Sequence, residues 1–64
     1  MVSDLDIYRS ANLLIKRYRA DAPIEASRMV DRMLELDDTE GRAVWQRIRR
    51  AIETLQAGPS ATVH

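Results

Sequence analysis

Sixty-four residues, with ten basic and ten acidic side chains, no net charge and no cysteine, bound the chain to one small domain lacking a disulfide framework or a thiolate metal site. A zero net charge removes the bulk electrostatic case for affinity toward nucleic acid or a membrane surface. Met1 leads into Val2-Ser3-Asp4 with neither a basic n-region nor an apolar h-region, and no apolar run approaches a membrane span, so the expected location is cytoplasmic.

The first helix is expected over about residues 4–20. Ser3 suits its N-cap, Asp4 and Asp6 lie where the helix dipole favours negative charge, and Lys16, Arg17 and Arg19 crowd its end. Ile7, Tyr8, Ala11, Leu14, Ile15 and Tyr18 share an arc of about 120° at helical spacing. Leu13 lies roughly opposite that stripe, and Leu5 is also off it.

Asp21-Ala22-Pro23 restarts the chain, because proline suits a first helical turn whose N–H would be unpaired anyway. A second helix over about 23–36 places Ala26, Met29, Val30, Met33, Leu34 and Leu36 in an arc near 160°. A stripe that wide suits a helix with two partners, or one partner and another subunit. Asp37 followed by Glu40 has the spacing of a capping box ahead of the third helix, expected over about 38–57. Val44, Trp45, Ile48, Ala51, Ile52 and Leu55 form its apolar stripe, within about 120°, and every arginine of the run lies outside it. Gly58-Pro59 stops it, and residues 58–64 read as a flexible tail.

The pattern implies an all-α fold, residues 3–57 forming three short amphipathic helices joined by short turns in a small bundle. Either that bundle is self-contained, or the first helix splays outward and completes its packing in a dimer. Scaffolds of this size without staples often gain stability by oligomerising. Residues 4–20 carry a net charge of about +2 and residues 21–36 about −2, which suits antiparallel packing with charges at the rims.

Chemistry has little to work with. His64 is the only histidine, and a terminal imidazole lacks the orienting partner that acid–base work needs. Asp37, Asp38 and Glu40 do not match a calcium loop and read as helix caps. No nucleophile, base and acid set is assembled, and Gly41 stands alone rather than in a phosphate-binding loop. The chain is therefore expected to be no enzyme, with no catalytic, metal or cofactor-binding residue and no small-molecule substrate.

Binding is the remaining class. Leu13, Tyr8, Met29, Met33 and Trp45 are the candidate interaction residues: an off-stripe leucine, aromatic rings with a polar tip, and two adaptable thioethers one turn apart. Their bland reading is core packing. The alternative is a small nucleic-acid-binding regulator using Arg42, Arg47, Arg49 and Arg50 on the third helix. Acidic Asp37, Asp38 and Glu40 ahead of that helix would repel phosphates, and Glu53 sits within pairing distance of Arg49 and Arg50, so a solvated face is favoured. An accessory or antitoxin-like partner of another protein is a third option.

From Asp4 to Leu55 the chain resembles a group of short, uncharacterised alphaproteobacterial helical proteins that share a domain of unknown function. The resemblance rests on a first helix ending near Tyr18, the Asp21-Ala22-Pro23 restart, and acidic residues preceding Gly41, Trp45 and Ile48. Members of that group tend to carry glycine after the first helix and before the last, where this chain has Arg19 and Asp37. The resemblance implies a helical fold in a bacterial cytosol and no activity. The leading expectation is a non-catalytic helical module acting as a homodimer or on another protein, without a membrane partner.

Overall fold

The computed structural model describes residues 2–57 and is helical through almost all of them. Helical structure runs in two unbroken stretches, 4–35 and 39–57, rather than in three separate segments. The first stretch is bent at a short 3-10 turn, Arg19–Asp21, which divides it into α1 (Asp4–Tyr18) and α2 (Ala22–Glu35); α3 (Thr39–Ala57) is the second stretch. The residues expected to form the tail, with Gly58-Pro59 and His64, lie outside the described residues.

Ser3 caps α1 by accepting the Asp6 N–H at 3.2 Å. Val2 and Ile7 hold the two apolar positions of a hydrophobic staple around that cap, Ile7 in the core and Val2 packed against it. At the other end α1 stops at Tyr18, two residues before the expected limit. Pro23 explains the break. In a continuous helix its ring would collide with the carbonyl four residues earlier, that of Arg19. The chain avoids this by placing Arg19 at φ 54°, ψ −123°, a region that L side chains rarely enter. The redirected Arg19 carbonyl accepts the Gln56 side-chain N–H at 2.6 Å, so α3 holds the bend from outside.

The second connection is a Schellman motif. Asp37 adopts φ 58°, its N–H donates to the Leu34 carbonyl at 3.1 Å, and the Asp38 N–H donates to the Met33 carbonyl at 2.9 Å. The cap of α3 is therefore Asp38, one residue later than the Asp37–Glu40 box anticipates: its carboxylate accepts the Gly41 N–H at 2.9 Å. Asp37 is committed to the left-handed position that ends α2. Gly41 has a packing reason as well, since a Cβ there would lie 2.5 Å from the Asp38 carboxylate and 2.7 Å from the Met33 sulfur.

Both α1 and α2 pack chiefly on α3, and meet each other less. The core consists of Ile7, Ala11, Ala22, Ala26, Ile48, Ala51 and Ile52, with Leu14, Ile15, Val44 and Trp45 packed around it. Four of these seven are alanines, one or more from each helix, which let the backbones approach closely at little side-chain entropy cost. Ile52 alone is a large side chain with no exposure. The stripes consequently overshoot what is covered. Tyr8 and Tyr18 of α1, Leu34 of α2 and Leu55 of α3, all on expected core stripes, are exposed. Leu36 caps α2 and is exposed too. Ala22, which the expected second stripe omits, is fully buried.

Candidate interaction surface

The two arms of the bent first stretch, α1 and α2, meet α3 on an alanine-rich core and leave a cleft where their larger side chains diverge. Leu13, Leu14, Arg17 and Tyr18 of α1, Glu25 and Met29 of α2, and Trp45 of α3 line it, enclosing about 250 Å³. Helical spacing explains the membership. Leu13 and Arg17 are four residues apart, as are Leu14 and Tyr18, and as are Glu25 and Met29, so each pair projects from successive turns on one side. Leu14 and Trp45 are half-buried against the core, whereas Leu13 is 67% exposed at the rim.

The cleft is apolar with two charged rims. Arg17 sits over the Tyr18 ring at 5.8 Å from its centroid, a cation–π contact that holds the guanidinium along the α1 edge. Glu25 stands on the opposite edge, 27% exposed at its side chain, and pairs with Arg28 one turn on at 3.1 Å. A neighbouring groove on α2, lined by Met29, Met33 and Leu36 with Glu25, Arg28 and Arg32, continues the apolar floor along that helix.

Of the expected interaction residues, Leu13, Met29 and Trp45 come together at the cleft, and Met33 lies in the adjoining groove. Tyr8 does not join them. It borders a separate, more polar hollow with Asp4, Arg47, Arg50 and Thr54. Leu14 and Tyr18 lie on the expected core stripe, and nothing in the sequence marks Arg17 and Glu25 as facing rims. Their pairing depends on how α1 and α2 diverge after the bend, which no local pattern encodes.

The third helix's arginines do not form one patch. Arg47 turns back to the start of α1, donating to the Val2 carbonyl at 3.2 Å and pairing with Asp4. Arg49 lies 3.8 Å from Glu53, a loose pair one turn along the helix. Arg42 and Arg50 are exposed and carry no ion pair among the described residues. Among the described residues no three His, Cys, Asp or Glu side chains gather as a metal would require, and no helix is long and apolar enough to cross a membrane. Compared with known proteins, the chain matches no family model, no curated protein and no solved structure, so its reading rests on its own residues.

Proposed function

We propose that this protein is a non-catalytic helical interaction module that works by self-association, its small bundle completed by a partner. The carrying observation is the cleft of Leu13, Leu14, Tyr18, Met29 and Trp45: five large apolar side chains from three helices, gathered at the surface of a domain whose own core holds few. The cleft is open to solvent along its length and runs on into the groove of α2, a form that suits protein side chains as its occupants. Two of the four arginines of the nucleic-acid alternative contact groups of their own chain, which weakens that reading further.

A bacterial cytosolic setting is part of the same proposal, on the resemblance of Asp4 to Leu55 to short alphaproteobacterial helical proteins; the neighbourhoods where those proteins tend to carry glycine hold Arg19 and Asp37 here.

Size-exclusion chromatography with light scattering tests the self-association. The expected mass is twice the 7.3 kDa of the chain at high micromolar concentration. A 7.3 kDa species that also melts cooperatively would defeat it.

A further inference from the structure

We propose that the occupant of the cleft is a second copy of this chain, bound about a two-fold axis so that α1 of each copy lies along the cleft of the other. This rests on the reading of the protein as a self-associating module and adds which surface is used and what fixes the pairing. Leu13 enters the apolar floor between Met29 and Trp45, and Arg17 meets the partner subunit's Glu25 on both sides of the axis.

Charge is the first argument. An isologous interface must be complementary to itself: if one residue meets another across it, the second meets the first. The two charged residues at this cleft have opposite signs and stand on opposite edges, Arg17 on α1 and Glu25 on α2. A two-fold axis running along the cleft exchanges its edges and therefore sets each Arg17 against the partner's Glu25, whereas an axis across the cleft would set Arg17 against Arg17. The helices carry the same asymmetry, since α1 has Arg9, Lys16 and Arg17 against Asp4 and Asp6, while α2 has Glu25, Asp31 and Glu35 against Arg28 and Arg32. A net +1 on one helix thus faces a net −1 on the other across the interface.

Continuity is the second. The cleft and the α2 groove run on from one another through the shared Glu25 and Met29, and the exposed Leu13, Tyr18 and Leu36 mark their course. Apolar surface continuous over two grooves gives an interface its dry centre, and Arg17, Glu25, Arg28 and Arg32 supply the polar rim.

The test uses light scattering together with the fluorescence of Trp45, the only tryptophan and a wall of the cleft. Wild-type protein is expected as a dimer whose Trp45 emission moves to the red on dilution, as the indole gains water. Leu13→Asp is expected to be monomeric at the same concentration with unchanged helical circular dichroism, because Leu13 is exposed in the single chain. Arg17→Glu and Glu25→Arg should each weaken association about tenfold or more, and an equimolar mixture of the two should restore it, since the mixed dimer regains both pairs. Circular dichroism of Glu25→Arg controls for the loss of its pair with Arg28. A wild-type dimer indifferent to Leu13→Asp and to both charge reversals overturns this interface while leaving self-association standing. A monomer at every concentration to about 1 mM overturns both.

Discussion

Arg19 and Asp37 are the two non-glycine residues at positive φ among the described residues, and they are not equivalent. Asp37 sits in the ordinary left-handed well, which aspartate tolerates because its short polar side chain can bond locally. Arg19, at φ 54° with ψ −123°, lies outside that well, where a Cβ crowds the backbone and the cost is of order 1–3 kcal/mol. Its conformation persists because Pro23 forbids a straight helix and Gln56 holds the turned carbonyl. Arg19→Gly is therefore expected to stabilise the protein by about 1 kcal/mol, the relief of strain exceeding the extra chain entropy that glycine brings to the unfolded state. For a domain this size that is a rise of roughly 4–8 °C in Tm. Asp37→Gly should gain less. Thermal melts of both variants at one protein concentration check the order, and equal gains would mean that the ψ of Arg19 carries no strain.

At the scale of helices, the four buried alanines decide how near the elements come, and Ile52 fills the space that remains. Ala26 and Ala22 present α2, Ala11 presents α1 and Ala51 presents α3, so a larger side chain at any of them must push two backbones apart. Ala26→Leu is expected to destabilise by about 1–3 kcal/mol, the usual cost of overpacking, although leucine is nearly as good a helix former as alanine. Urea unfolding followed by circular dichroism measures it, and a neutral result would mean that α2 is loosely seated. Much of this was legible in advance. Ile7, Ala11, Ala26, Ile48, Ala51 and Ile52 all lie on stripes read from spacing alone, and the cap at Ser3 follows from its place before two aspartates. The end of α1 was not, because Pro23 acts on the carbonyl of Arg19 four residues before it, and a basic cluster that includes Arg19 reads as a last helical turn. The cap of α3 slipped by one residue because Asp37 and Asp38 are chemically alike, and only the Schellman geometry assigns one to each helix. The cleft was half legible: Leu13 stood out by being off its stripe, but Tyr18 and Leu14 looked like ordinary core.

For the molecule as a whole, the balance of buried and exposed apolar side chains sets the expectation for unfolding. Three isoleucines and four alanines make a small core for a chain of 64 residues, and Leu5, Leu13, Ile24, Leu34 and Leu36 stay exposed beside it. A chain of this length buries only about 60% of the surface its unfolded form exposes, so burial in the proposed dimer would add a sizeable share to its stability. If folding and association are coupled, mass action ties the melting temperature to protein concentration, because the dimer unfolds to two chains. Each tenfold rise in concentration then adds about 1.4 kcal/mol per dimer. Against an unfolding entropy of about 2.1 cal/mol/K per residue over both chains, that raises Tm by roughly 5 °C. Melts at about 10 μM and about 1 mM should thus differ by roughly 10 °C for the wild type. For Leu13→Asp they should coincide, below both wild-type temperatures. A wild-type Tm that does not move with concentration would mean that each chain folds by itself, and that the exposed leucines contribute nothing to holding it together.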